Sequence, residues 1–223
     1  MQKHFWQQRW QENQIGFHEG RVNRHLENFW PRLDFNSQET VFVPLCGKAV
    51  DLVWLRQRGH HVIGVELSER ACQDFFAEQG LAPEINQVGA FTRYAHEGLE
   101  ILCGDFFDLK REHLHGATLF YDRAALIALP ADMRPRYCEH LSGLMGDQSQ
   151  GLLVTLDYPP GDFSGPPFAV AESELHTLQE PHYAIDRLYH APIPPNDPLR
   201  KRGLTEATES VFKLTGTALP APD

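Results

Sequence analysis

Three observations predict an α/β fold built on a doubly wound, Rossmann-like sheet. Apolar strand patterns alternate with helical ones, which implies parallel strands with crossover helices on both faces. A glycine turn closes the first strand, and Glu66 stands nineteen residues after its Gly47, at the end of the second strand. The last two strand patterns are joined by a proline-rich loop with no crossover helix, so the final strand should run antiparallel. The expectation is a seven-stranded, mostly parallel sheet with the last strand antiparallel.

The elements follow in order. Residues 4–30 carry a helical pattern in which Trp6 and Trp10 are four apart and share a face. Pro31 and the polar run Asn36–Thr40 lead into the first strand. Strands are predicted at 41–45, 61–66, 99–103, 117–121, 151–157, 183–189 and 208–214, and helices at 48–58, 68–79, 124–129, 132–145 and 171–179. Two long segments rich in Pro and Gly, Tyr158–Phe168 and residues 191–203, read as surface connections or as loops roofing a ligand. Residues 216–223 read as a flexible tail.

The 223 residues suit one domain, 1–223. A formal net charge of −10 disfavours nucleic acid and anionic membranes as partners. No apolar run approaches the ~18 residues a bilayer span needs, and the N-terminus has no signal-peptide core, so a cytoplasmic protein is expected. Cys46, Cys72, Cys103 and Cys138 lack C-x-x-C spacing and read as free thiols. The histidines, His60-His61 and His113-x-His115 included, have no zinc-like ligand set, and no metal site is expected.

The stretch Val41-Phe-Val-Pro-Leu-Cys-Gly47-Lys-Ala-Val-Asp51 narrows the ligand. One glycine in place of G-x-G-x-x-G argues against a pyrophosphate, and there is no G-x-x-x-x-G-K-[ST] loop. A cofactor with adenine and ribose but no phosphate fits, S-adenosylmethionine above all; a purely structural turn is the alternative. Lys48 reads as a solvated residue opening the helix. Glu66 is placed to accept hydrogen bonds from ribose hydroxyls, and Leu45 and Gly47 to bring backbone near the cofactor. Asp122-Arg123 falls at the carboxyl edge of the fourth strand, where such sheets hold ligands.

Several segments together resemble the thiopurine S-methyltransferases: Trp6-x-x-Arg-Trp10, Ile15-Gly-Phe-His18, Asn28-Phe-Trp-Pro31, Val43-Pro-Leu-Cys-Gly-Lys48, Gly64-Val-Glu-Leu-Ser68, Gly104-Asp-Phe-Phe-Asp-Leu109, Tyr121-Asp-Arg-Ala-Ala-Leu126 and Gly165-Pro-Pro-Phe168. The resemblance runs from about residue 5 to 215. P-L-C-G-K with a downstream D-R-[AG]-A-L is not a generic pattern for this fold. It implies the class I methyltransferase fold and transfer of a methyl from S-adenosylmethionine, leaving S-adenosylhomocysteine, to the sulfur of aromatic and heterocyclic thiols. Selenium or tellurium acceptors, or a non-catalytic cofactor binder, are the alternatives. By resemblance, Trp10, Leu45, Gly47, Glu66, Asp105, Phe106 and Arg123 contact the cofactor. Phe17, Arg123 and Pro167 would meet the acceptor, Asp122 and Arg123 would serve the chemistry, and residues 1–35 would form a helical lid on a monomer. Of Arg200, Lys201 and Arg202, the sequence does not say which reaches the acceptor.

Overall fold

The computed structural model describes residues 3–16, 18–36, 38–204 and 206–217. Its strands are β1 (Thr40–Val43), β2 (His61–Glu66), β3 (Glu84–Val88), β4 (Phe91–His96), β5 (Leu99–Cys103), β6 (Leu119–Asp122), β7 (Gln150–Asp157), β8 (Tyr183–Pro192) and β9 (Thr208–Gly216). They form one sheet in the order β3-β4-β5-β2-β1-β6-β7-β9-β8. The strands β5, β2, β1, β6 and β7 are mutually parallel, and β9 runs antiparallel between β7 and β8. The expected antiparallel last strand is therefore present, inserted between its neighbours.

Alternation along the strands sorts the core into two layers. Phe42, Ile63, Leu102 and Phe120 face helices α5 (Arg134–Met145) and α6 (Glu172–Gln179), through Tyr137, Leu141 and Leu175. Val41, Val43, Val62, Leu119 and Tyr121 face the opposite layer: α2 (Arg24–Phe29), α3 (Asp51–Gln57) and α4 (Glu69–Glu78), through Leu26, Leu52, Leu55, Phe75 and Phe76.

Four expectations need correction. The sheet has nine strands, because residues 84–96 form an added antiparallel hairpin on the β5 edge. Its outer strand, Glu-Ile-Asn-Gln-Val, is exposed at four positions and shows no buried alternation. Residues 4–30 are two short helices, α1 (Lys3–Gln11) and α2, parted by a loop in which Asn13 takes a positive φ of 55°. The helix expected at 124–129 is a single 3-10 turn, Leu126–Ala128. Lys48 is buried and its ammonium meets Glu78 at 2.6 Å, while the helix opens at Asp51. The loop at 191–203 also carries a short helix, α7 (Pro198–Lys201). Gly216 closes β9, and residues 218–223 of the expected tail lie outside the described residues. No helix among the described residues is long and apolar enough to cross a membrane.

Gly151 of β7 makes room for the ring of Phe120, its partner on β6: a Cβ there would lie 2.1 Å from that ring, which is itself fully buried. Gly151→Ala is therefore expected to cost about 1–3 kcal/mol through overpacking, read as a lowered midpoint in denaturant unfolding.

Candidate active site

The carboxyl ends of β1, β2, β5, β6 and β7 open into one cavity of about 590 Å³, bordered by Leu45, Glu66, Asp105, Arg123 and Leu156. That is the edge where an open α/β sheet holds ligands. After β1 the chain turns sharply, with Leu45 at φ 46° and Gly47 at φ 54°. A left-handed leucine is strained, and such strain gathers at functional sites. At Gly47 an added Cβ would also come within 3.2 Å of the Trp10 indole, so the ring rests directly on the turn. Trp10 is the buried residue of α1.

Glu66 ends β2 with its carboxylate against this turn. Oε2 accepts the Gly47 N–H at 2.9 Å, and Oε1 accepts the Ser68 N–H at 2.8 Å. The Ser68 hydroxyl in turn caps α4 by accepting from Ala71. Burial pushes the Glu66 carboxyl up to about 6, although the Ser68 and Gly47 amides oppose the rise. After β5, Asp105 accepts the Phe107 N–H and pairs with Lys3 of α1 at 2.5 Å. Phe106 packs beside it against Tyr137, with ring centroids 5.0 Å apart.

Arg123 follows β6. Its guanidinium lies 3.7 Å from Glu19 Oε1 and 3.7 Å from Asp51 Oδ2, beyond hydrogen-bonding distance for both. Asp51 is buried at the start of α3, and its Oδ1 accepts the Asn23 N–H at 2.8 Å, which ties the N-cap residue of α2 to the site. Burial raises the Asp51 carboxyl, opposed by the charge of Arg123. Asp51 Oδ2 and the Tyr121 hydroxyl are sealed from solvent with no hydrogen bond of normal geometry among the described residues. Ala124, next in line, holds φ at 152°.

Asp122 does not join this cavity. Its Oδ1 accepts from the Ala125 and Leu126 amides and its Oδ2 from the Tyr137 hydroxyl at 2.7 Å, with 1% exposure. Asp122 ends β6 with its side chain turned to the Tyr137 side, while Arg123 follows the strand and borders the cavity. The carboxylate organises the 3-10 turn, and acid–base work on a ligand is closed to it.

Across the cavity, Pro166, Pro167, Ile127, Leu156 and Leu199 make an apolar wall. Pro167 is held by the Tyr158 hydroxyl, which donates to its carbonyl at 2.8 Å. Of the three basic residues in the 191–203 loop, Arg202 reaches the cavity rim, donating to Pro166 O and stacking on Phe163. Arg200 instead donates to the carbonyls of Pro194 and Ile193, and Lys201 does not border the cavity. Phe17 lies outside the described residues. Trp10, Leu45, Gly47, Glu66, Asp105, Phe106, Arg123 and Pro167 are thus brought together. Sequence reasoning missed His18, Arg21, Asn23 and Glu209, which border the same space. His18 carries a lowered pKa, first from burial and then from Lys48. No local signal marks Glu209; only the register of β9 on β7 delivers it.

Comparison with known proteins agrees with this geometry. A family model for thiopurine S-methyltransferase matches residues 1–217. A thiopurine S-methyltransferase of Marinobacter nauticus is 47% identical over 216 residues, covering 96% of this chain and 99% of the relative. One from Pseudomonas paraeruginosa is 48% identical over 215 residues, covering 96% and 99%. Among solved structures, Burkholderia thailandensis 1,6-didemethyltoxoflavin-N1-methyltransferase, with its bound substrate and S-adenosylhomocysteine, superposes with a TM-score of 0.64 at 13% identity, covering 96% of this chain and 87% of that one. TehB from Haemophilus influenzae gives 0.62 at 11% identity, covering 90% and 64%. The structural likenesses establish the fold, and the sequence match over nearly the whole length establishes more: the chain belongs to the thiopurine S-methyltransferase family.

Proposed function

We propose that this protein is an S-adenosylmethionine-dependent methyltransferase acting on the sulfur of heterocyclic and aromatic thiols, thiopurines among them. The observation that carries the reading is a carboxylate, Glu66, and a guanidinium, Arg123, facing one apolar-walled cavity from the ends of nearby parallel strands.

The residues fit the cofactor. Each Glu66 oxygen accepts one backbone N–H, which leaves lone pairs for two ribose hydroxyls. Gly47, lacking a side chain, lets backbone approach a ligand beneath the Trp10 ring. Asp105 and Phe106 offer an acceptor and a flat apolar face for a base. When bound, S-adenosylmethionine supplies a methyl on a sulfonium, open to in-line displacement.

The chain's own work is then to hold the acceptor in line and favour negative charge on its sulfur. Arg123 is suited to this, since its long ion-pair contacts leave N–H groups available to an anion. Heterocyclic thiols are acidic enough that no strong base is needed. The apolar wall suits a flat ring better than a small selenium or tellurium oxyanion. Residues 1–35 serve as a cover: α1 rests on the cavity through Trp10 and the Lys3–Asp105 pair.

The test is methyl transfer from labelled S-adenosylmethionine to 6-mercaptopurine, with S-adenosylhomocysteine binding measured by calorimetry at two pH values. Transfer to sulfur is expected, and its absence with bound cofactor would overturn the acceptor class. Because the free Glu66 carboxyl sits at about 6, it is ionised at pH 7 and mostly protonated at pH 5. Hydroxyl donors prefer the ionised form, so affinity is expected to be about tenfold weaker at pH 5 than at pH 7.

A further inference from the structure

Glu209 is a charged residue of the cavity wall that the reading above does not use. It sits on β9 opposite Leu156 of β7, on the face that α2 covers. Its Oε2 accepts from Arg24 Nη2 at 2.5 Å and from His25 Nε2 at 3.1 Å. Its Oε1 has no protein partner among the described residues and is not sealed from solvent. The side chain is 21% exposed, and Glu209 borders the cavity together with Leu156, Ile127, Pro167 and Leu199. Burial alone would raise its pKa, but the bonds from His25 and Arg24 outweigh burial and hold it below the ordinary carboxylate value. One oxygen is thus fixed by α2, and the carboxylate, held ionised, stands at the border of the cavity.

We infer that Glu209 is a specificity-determining residue that accepts a hydrogen bond from a ring N–H of the acceptor, so that the site selects thioamide-type heterocycles over simple aromatic thiols. The inference rests on the S-methyltransferase reading and names the acceptor class within it. A heterocyclic thione carries an N–H beside its C=S group, and its dipolar form puts negative charge on the sulfur, where Arg123 favours it, while the ring nitrogen keeps its proton. As the sulfur lone pair forms the new S–CH3 bond, the donor's sulfonium C–S bond breaks and its electron pair stays with the donor sulfur. Positive charge then gathers on the N–C–S unit, and the ring proton is finally lost to solvent. A carboxylate facing that N–H binds it more tightly as the charge grows, which favours the transition state over the ground state. A thiophenol offers no such donor and gains nothing from Glu209. A site built to bond an N–H also penalises an analogue without it, because the analogue displaces water from the carboxylate and returns no hydrogen bond.

The experiment compares pyridine-2-thione, its N-methyl analogue and thiophenol, using wild type and Glu209→Gln. The glutamine keeps a carbonyl oxygen for Arg24 and His25 and turns an amide donor toward the acceptor. Binding is measured calorimetrically in the presence of S-adenosylhomocysteine, and kcat/KM by methyl transfer. Wild type is expected to bind pyridine-2-thione at least about tenfold more tightly than the N-methyl analogue. The variant is expected to lose at least about tenfold in kcat/KM for pyridine-2-thione while staying within about twofold on thiophenol. Equal binding of the two thiones by wild type overturns the inference whether or not the variant folds, and so does a variant that loses both acceptors equally while keeping native stability. If wild type methylates neither pyridine-2-thione nor thiophenol, the S-methyltransferase reading itself falls, and the two failures are told apart.

Discussion

Glu66→Ala is expected to abolish S-adenosylhomocysteine binding at concentrations where wild type saturates. Two hydrogen bonds from ribose hydroxyls to an ionised carboxylate contribute roughly 1.5–3 kcal/mol each, so the loss is about 3–6 kcal/mol, a factor of ~100 or more in Kd. Calorimetric titration reads it directly. The stability argument runs the other way and guards the interpretation. The buried carboxyl titrates at about 6 against an ordinary 4.5, so the folded form holds its proton more tightly than the unfolded chain does. Its ionised form therefore costs the ligand-free protein roughly 2 kcal/mol at pH 7, a cost that fades as pH falls from 6 toward 4.5. Removing the charge relieves that cost, while the Gly47 and Ser68 amides lose their acceptor. Glu66→Gln, which keeps one acceptor oxygen, separates the two effects: it should stay at least as stable as wild type at pH 7 and still bind poorly. Wild-type affinity in Glu66→Ala would remove the carboxylate from the cofactor site.

Arg123→Ala should lower kcat/KM toward a thiol acceptor by about 100- to 1,000-fold at neutral pH, the usual effect of deleting one preorganised charge at the reacting centre. The pH profile carries the diagnosis. If the guanidinium acts by favouring the thiolate, the deficit must shrink as pH rises past the acceptor's own pKa, because solvent then does the ionising. A deficit equal at every pH would mean that Arg123 holds the ligand without activating it. Arg123→Lys keeps the charge but loses the planar fork and should fall between the two. Asp51 provides a second readout: burial already lifts its carboxyl and Arg123 opposes the rise, so in Arg123→Ala it should titrate above its wild-type position.

The central sheet was legible because its strands are buried on both faces and read as near-continuous apolar runs such as Val41-Phe42-Val43 and Val62-Ile63. That Leu45, Glu66 and Asp105 border one cavity was legible for a related reason: they stand at or just past strand ends, and strand ends are the points a sequence pattern locates best. The hairpin at 84–96 was not legible, because an exposed edge strand writes no hydrophobic period. Asp122 misled because its partners, the Ala125 and Leu126 amides and the Tyr137 hydroxyl, are set by the local turn and by a distant helix, which its place beside Arg123 does not show. The acceptor wall was the least legible part. Glu209 and Arg202 reach the cavity only through pairing of distant strands and the seating of a loop, and neither leaves a local trace.

The contact between Arg24 and Glu209 joins residues 185 positions apart. On the ribosome, α2 emerges long before β9 exists, and a domain folds as a unit. A nascent chain therefore cannot join β8 to the sheet, or give Arg24 its partner, until Glu209 and its strand have been made. A chain cut short before Glu209 would lose the strand between β7 and β8 as well as one border of the cavity, so completing the sheet and completing the cavity are one event.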